Sequence, residues 1–301
     1  MKSLLIVAEQ AEAHSLIQKS EIKDKYDILA MVSKRFEVSR LLTEKEVDII
    51  LIGASIERKE KEDILALALQ NSTLVWIIPG FYEIMLSKAP SQPLGDSLVF
   101  EIHPIELEYL NRFLKRTLDI ALSSIGLILL IPLLAFLALI VKLESPGNPI
   151  FSQKRVTLGG EEFTLYKFRT MVEKAEDATG PILATENDPR ITRVGSLLRR
   201  TRLDELPQLF NVLCGSMSIV GPRPERPYFV DKFVQEIPHY SYRLKVKSGI
   251  TGLAQVTGKY STSPADKLKY DLLYMKRFSL LRDLYIILKT FKVVMMKDKA
   301  S

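Results

Sequence analysis

The sequence predicts an α/β chain in two parts: a Rossmann-like parallel-sheet domain over residues 1–108, then a second domain over 109–301 that meets a membrane. Three observations carry this. Short apolar runs alternate with helix-like stretches over the first hundred residues. An uncharged run of 22 residues, Ile120–Val141, follows. The carboxyl-terminal stretch mixes large apolar side chains with Lys and Arg.

In the first part, SLLIVA, YDILAMV, VDIILIGA and STLVWIIPG read as buried strands, separated by helix-like segments such as AEAHSLIQKS and KRFEVSRLL. Strands alternating with helices argue for a parallel sheet. A dinucleotide site needs G-x-G-x-x-G after the first strand, and AEQAEA stands there instead, so no glycine lets a pyrophosphate approach and no NAD is expected. The opening MKSLLIVAEQ is too short in its apolar stretch for a signal peptide and reads as a strand. SKAPSQPLGDSLVFEIHP reads as a loop and terminal strand before the boundary near 108.

The 22-residue run is long enough for a bilayer, for which roughly 20 suffice. Pro132 falls inside it, removing one backbone hydrogen bond and clashing with the preceding turn. The arms on either side, about 12 and 9 residues, are each too short to cross alone. Arg112, Lys115 and Arg116 precede the run, and Lys142, Lys154 and Arg155 follow it; the positive-inside tendency places both flanks on the cytoplasmic side. A helix that enters, bends at Pro132 and returns satisfies both flanks. A single span with a modest kink satisfies the length equally. The tail LLYMKRFSLLRDLYIILKTFKVVMMKDK has the basic amphipathic pattern of a helix lying in a lipid interface, or of one packed on the protein's own core.

The totals agree. At 301 residues, 47% hydrophobic and 26% charged, the chain is globular and long enough for about two domains. Lys+Arg 42 against Asp+Glu 36 leaves +6, which suits a phosphate-bearing ligand or an anionic membrane face. The single cysteine, Cys214, excludes an intrachain disulfide and favours a reducing compartment. His14, His103 and His239 fit no zinc spacing.

Between the membrane run and the tail lie the stretches that carry chemistry. PIFSQKRVTLGGEEFTLYKFRTM reads as a hairpin about Gly159-Gly160 that gathers Lys154, Arg155, Lys167 and Arg169, for which an ordinary solvated hairpin face is the preferred account on these residues alone. In RRTRLDELPQLFNVL, Asp204 and Glu205 follow three arginines, Arg199, Arg200 and Arg202. Thr201 as N-cap would form a capping box with Asp204, but would put Pro207 at the sixth helical position and cost a bond. Asp204 as N-cap makes Pro207 the third residue, whose N–H is unpaired anyway. That register sets Asp204 at the positive end of a helix dipole, favouring its ionised form and attracting phosphate. An ionised aspartate beside phosphates points to magnesium ligation or nucleophilic attack; a solvated cap accounts for the same residues. GPRPE at 221–225 fixes Arg223 between two prolines for bidentate phosphate contact. KSGITGLAQVTGKY adds Gly249, Gly252 and Gly258 with Lys245, Lys247 and Lys259, a pattern compatible with a diphosphate cradle.

With FLKRTLDI, PIFSQKRV, FTLYKFRTM, NDPRITRVGSLLRRTRLDELPQLFNVL, MSIVGPRPE and SGITGLAQVTG in this order, the region from about Arg112 onward resembles the bacterial sugar transferase family. These are the monotopic polyprenyl-phosphate phosphoglycosyl transferases of cell-surface glycan synthesis. The first hundred residues look like the Rossmann-like domain ahead of the catalytic part in longer members, without their extra spanning helices. The resemblance implies an α+β catalytic domain with a proline-bent re-entrant helix over about 112–142 and interfacial helices, on the cytoplasmic face of a bacterial inner membrane.

It also implies a two-step reaction. Asp204 attacks the β-phosphate of a UDP-sugar and releases UMP, and undecaprenyl phosphate then accepts the phosphosugar. Glu205 assists, Mg²⁺ offsets the diphosphate charge with Asp204 as ligand, Arg199 meets the acceptor phosphate, Arg223 is the arginine of the GPRP motif, and Arg223 and Lys259 complete the substrate-phosphate contacts. The implied partners are UDP-sugar, polyprenyl phosphate and membrane lipid, with no nucleic acid; a homodimer is the commonest assembly. Three positions depart from the family pattern: Ile131 precedes Pro132 where Ser is frequent, Ser216 replaces a common acid, and Lys259 stands where one branch has Arg. Outside the family, an aspartyl-phosphate phosphatase lacks its strand-borne D-x-D here, and a non-catalytic membrane scaffold is the alternative.

Overall fold

The computed structural model describes residues 1–19, 22–172, 188–259 and 262–295. Ser20, Asn187, Tyr260 and residues 296–301, which belong to stretches quoted above, lie outside them. The chain divides into two compact units, Met1–Ile84 and Met85–Ser301.

The first unit runs β1 (Lys2–Val7), α1 (Gln10–Lys19), α2 (Ile22–Lys25), β2 (Tyr26–Val32), α3 (Arg35–Glu44), β3 (Ile49–Ile52), α4 (Arg58–Gln70) and β4 (Leu74–Ile77). The strands form one parallel sheet in the order β2-β1-β3-β4, at the four places the apolar runs predict. The two central strands are buried throughout (Leu4–Val7 and Ile49–Ile52) because helices cover both faces. Alternation sorts their side chains. Leu5, Val7, Ile50 and Ile52 pack with Val38, Leu41, Ile64 and Ala68, and Leu4, Ile6, Ile49 and Leu51 with Ala13 and Ile17. Where β1 and β3 end, the Glu12 carboxylate accepts from Ala54 N–H, Ser55 N–H and the Ser55 hydroxyl at 2.9, 2.9 and 2.5 Å. A Cβ on Gly53 would lie 2.4 Å from that carboxylate. The chain's own acid therefore occupies backbone donors at the switch point where α/β sheets otherwise bind phosphate.

Helix α5 (Phe81–Leu86) leads to a hairpin, β5 (Ser91–Leu94) and β6 (Ser97–Phe100), where the sequence reads as a loop and one strand. Gly95 supplies the positive φ its tight turn needs. Then comes α6 (Tyr109–Glu144), 36 residues with Pro132 inside, or about 54 Å at 1.5 Å per residue. Pro132 falls inside this single helical element, between the two expected arms.

Its burial is the reverse of a soluble helix. Lys115, Asp119 and Ser123 are buried, while Ile125, Ile128, Leu129, Ile131, Phe136 and Leu139 are exposed. The buried charges are satisfied. Lys115 pairs with Asp283 at 2.6 Å, and Asp119 accepts from the Ser218 hydroxyl and Ile219 N–H at 3.0 and 2.9 Å. Further along, Leu137 and Val141 pack with Phe168 and Leu198. Arg169, which the sequence groups with the hairpin's other cations, instead closes this end of the helix by donating to the Val141, Ser145 and Pro146 carbonyls.

The rest comprises β7 (Ile150–Val156), β8 (Glu162–Phe168), α7 (Arg193–Thr201), α8 (Gln208–Cys214), β9 (Ser218–Val220), α9 (Pro227–Glu236), β10 (Gly249–Thr251), α10 (Leu253–Thr257), α11 (Pro264–Lys276) and α12 (Leu280–Met295). Strands β7 and β8 form the expected hairpin, its turn made by Gly159 and Gly160 at φ 71° and 85°. Strands β9 and β10 pair in parallel.

Candidate active site

Asp204 and Glu205 lie in a tight connection between two helices. Arg202, in the left-handed region at φ 55°, ends α7, and Leu203–Glu205 form a 3-10 turn. Helix α8 begins only at Gln208, with Pro207 as N-cap, where its missing N–H costs nothing. This corrects both registers read from the sequence. Asp204 is not a helix N-cap, and Thr201 closes α7 by donating to the Leu197 carbonyl. The left-handed Arg202 stops the first helix and frees the two acids from both. Burial and the neighbouring side-chain charge therefore set the ionisation of Asp204.

That charge comes from three directions. The β7–β8 register places Phe151 opposite Lys167 and Arg155 opposite Phe163, so alternation sets Arg155 and Lys167 on one face and Lys154 on the other. Lys167 lies over the Phe151 ring, 5.1 Å from its centroid. Burial brings its pKa down to about 8, against the attraction of Asp204. Arg199 comes from the last turn of α7, its Nε donating to the Thr170 hydroxyl at 2.8 Å. Arg223 reaches from the GPRPE loop to Glu205 at 2.6 Å.

The two acids then part company. Burial, followed by the Glu205 charge, pushes Asp204 up to about 6, while Lys167, Arg223 and Arg199 pull it down. Burial also opposes ionisation of Glu205, but the Arg223 guanidinium outweighs it and holds that carboxyl below its usual range. Among the described residues no donor reaches the Asp204 carboxylate. Glu205 is thus neutralised, and Asp204 is left ionised near neutral pH without a hydrogen bond.

The scaffold is rigid. The Asn211 side chain seals the outer edge of β8, donating to the Thr164 carbonyl at 2.8 Å and accepting from Tyr166 N–H at 3.1 Å. Arg116 on α6 donates to the Val212 and Leu213 carbonyls at 2.6 and 2.8 Å, closing α8. A Cβ on Gly195 would sit 2.1 Å from the Thr170 carbonyl, so only glycine lets α7 approach. The GPRPE loop is gripped at successive carbonyls. Pro222 is held by Gly249 N–H, Arg223 by Arg243, Pro224 by Arg155 and Glu225 by Val156 N–H.

The glycines read as a diphosphate cradle do other work. A Cβ on Gly249 or Gly252 would meet the Gly221 backbone at 2.1 or 2.2 Å. These glycines let chain pack on chain beneath the loop. Lys247 faces Arg116 and Asp119, away from Asp204.

Of the residues expected at the site, Asp204, Glu205, Arg199 and Arg223 come together. Lys259 is not among the charges that act most on Asp204; its N–H is bonded to the Thr262 hydroxyl. Pro132 lies within α6. Ser216 closes the turn after α8 by donating to the Asn211 carbonyl. Lys167 was grouped only with the hairpin's cations, and Asn211 and Thr170 were not picked out from sequence. The strand alternation that puts Lys167 on the same face as Phe163 and Leu165 was the available signal. Among the described residues no three His, Cys, Asp or Glu cluster as metal ligands. The Asp204 carboxylate, without a hydrogen bond, would nonetheless suit Mg²⁺ if substrate phosphates lay beside it, since that ion takes one or two carboxylates plus substrate oxygens.

The family described as bacterial sugar transferase matches residues 110–297. An Aeromonas hydrophila UDP-N-acetylgalactosamine-undecaprenyl-phosphate N-acetylgalactosaminephosphotransferase is 46% identical over 61% of this chain and 44% of its own length. A Xanthomonas campestris pv. campestris UDP-glucose:undecaprenyl-phosphate glucose-1-phosphate transferase is 38% identical over 84% of this chain and 54% of its own. A Bacillus subtilis putative undecaprenyl-phosphate N-acetylgalactosaminyl 1-phosphate transferase is 50% identical over 48% of this chain and 83% of its own. The chain spans about half the length of the first two.

Proposed function

The chain belongs to the bacterial sugar transferase family, and from that premise we propose that it transfers a phosphosugar from a UDP-sugar to undecaprenyl phosphate and releases UMP. The observation that carries this is Asp204: a buried, unbonded carboxylate that ionises near pH 6 among Lys167, Arg199 and Arg223. An Asp204 oxygen attacks the β-phosphorus, the bond to the bridging oxygen breaks, and UMP leaves with the electron pair. An oxygen of the acceptor phosphate then attacks the same phosphorus and returns Asp204 as carboxylate. Lys167, Arg199 and Arg223 hold the phosphate oxygens and offset the charge that gathers on them. Glu205 fixes Arg223. Asp204, with the donor's phosphates, would hold Mg²⁺, which when bound supplies further charge neutralisation.

The outward apolar face of α6 supports membrane residence. Both ends of that helix are held by the same unit: Lys115 and Asp119 at one end, Arg169 and the Glu144–Val194 bond at the other. A helix crossing straight through would part those ends across about 30 Å of hydrocarbon. Their common attachment supports a re-entrant, monotopic arrangement. Exposed Leu281, Leu284, Tyr285, Leu288 and Phe291 form one stripe of α12, with Arg282, Lys289 and Lys292 nearby on the same helix, as an interfacial helix requires.

Purified protein with a panel of UDP-sugars, undecaprenyl phosphate and Mg²⁺ should release UMP, and Asp204→Asn should abolish it. UDP as the nucleotide product, or turnover retained in Asp204→Asn, removes the aspartyl intermediate.

A further inference from the structure

A cavity of about 70 Å³ opens beside the GPRPE loop. By the measure in which one water takes roughly 10–15 Å³, it holds about five waters, the room of a small planar ring. Its walls are aromatic. Phe229 and Phe233 stack with centroids 6.1 Å apart, and Tyr240 closes on Phe233 at 5.3 Å.

Three charged groups line it, and one is already spent. Arg243 pairs with Asp271 at 3.0 Å, donates to Tyr240 Oη and holds the Arg223 carbonyl. The ammonium of half-buried Lys267 has no hydrogen-bond partner among the described residues, and desolvation lowers its pKa. The Glu225 carboxylate stands 3.7 Å from Arg155, beyond a direct hydrogen bond, while its carbonyl is fixed by Val156 N–H. One unpartnered donor and one loosely held acceptor thus face a slot between rings, two residues along the loop from Arg223.

The geometry points to this cavity as the seat of the donor's uracil: N3–H given to Glu225, a ring carbonyl accepting from Lys267, and the ring face laid on Phe233. This rests on the UDP-sugar reading above. It adds a chemical basis for base selection, since cytosine presents a bare N3 lone pair to the Glu225 carboxylate. Sites built to hydrogen-bond one ligand strongly reject the analogue that leaves their polar groups unpaired.

The test is calorimetric titration of the full chain in nanodiscs with UMP and with CMP. Wild type should bind UMP about tenfold or more tighter than CMP. Glu225→Gln, whose amide can donate to cytosine N3, should narrow that ratio to about threefold or less. Lys267→Met should weaken UMP about tenfold, and Lys267→Arg should restore most of it. A purely structural role would weaken both nucleotides alike. An unchanged UMP:CMP ratio in Glu225→Gln, or full UMP affinity in Lys267→Met, overturns the base site. If wild type releases UMP from a UDP-sugar while either result holds, only the base site falls. If it releases none from any UDP-sugar, the parent reading falls and takes the base site with it.

Discussion

The sheet of the first unit and the amino-terminal part of α6 in the second bury opposite things. In the first, the sheet's apolar side chains are hidden on both faces, and Glu12 satisfies the loop donors that remain. Along α6 of the second, Lys115, Asp119 and Ser123 are inside, and Ile125, Ile128 and Leu129 are outside. A protein interior accepts a paired charge, but water does not accept a long apolar stripe at the same helix's surface. The contrast teaches that hydropathy assigns each face to a solvent, while the polar contacts decide where the helix is held.

Lys115→Met attacks the inverted interior most directly. It leaves Asp283, 1% exposed, with only the Tyr274 hydroxyl as partner, and should cost about 3–5 kcal/mol in thermal or denaturant unfolding. A loss under about 1 kcal/mol would mean that α6 is not held by this pair. The outer face is tested by Leu129→Arg against Leu69→Arg, two leucines of similar exposure at 73% and 65% on the different units. The first should cost about 2.5–3.5 kcal/mol of membrane affinity and move protein out of the membrane fraction. The second should leave partition unchanged, and equal behaviour would erase the comparison.

The site itself offers smaller effects. kcat/KM should rise as Asp204 ionises through about pH 6 and fall as Lys167 loses its proton through about pH 8. Lys167→Arg should keep the acid limb and carry the alkaline limb upward by about a unit or more, because a guanidinium stays charged; a fixed alkaline limb would assign it elsewhere. For stability the sign runs the other way. Asp204 titrates above its usual 3.8, so its own contribution to stability is complete below about pH 4 and is lost as pH rises through about 6. Asp204→Asn should therefore raise Tm by about 2–6 °C near pH 8 and leave it unchanged near pH 4. The largest functional loss and the smallest stability gain would then sit in one residue.

Much of the fold was legible. The four parallel strands follow from apolar runs too continuous for a half-exposed sheet, and the hairpin follows from Gly159-Gly160. The charged site was legible as composition, not as geometry. Asp204, Glu205, Arg199 and Arg223 could be picked out, but the local stop at Arg202 could not, because a left-handed arginine is a tertiary compromise that no propensity announces. Gly249 and Gly252 misled for a related reason: close approach to a phosphate and close approach to Gly221 demand the same missing Cβ. Lys167 was noticed only as one of four hairpin cations, because a lysine in a strand reads as solvated until its face is known.

The tethering of α6 at both ends has a kinetic consequence. On the function and topology proposed above, the catalytic unit stays on one face of the bilayer, meeting its lipid acceptor by lateral diffusion in a plane and its donor from solution. Turnover should then follow the mole fraction of undecaprenyl phosphate in the lipid rather than its bulk concentration. Diluting the acceptor with carrier lipid at constant total acceptor should slow the reaction, whereas diluting the vesicles at fixed UDP-sugar concentration should leave turnover per enzyme unchanged.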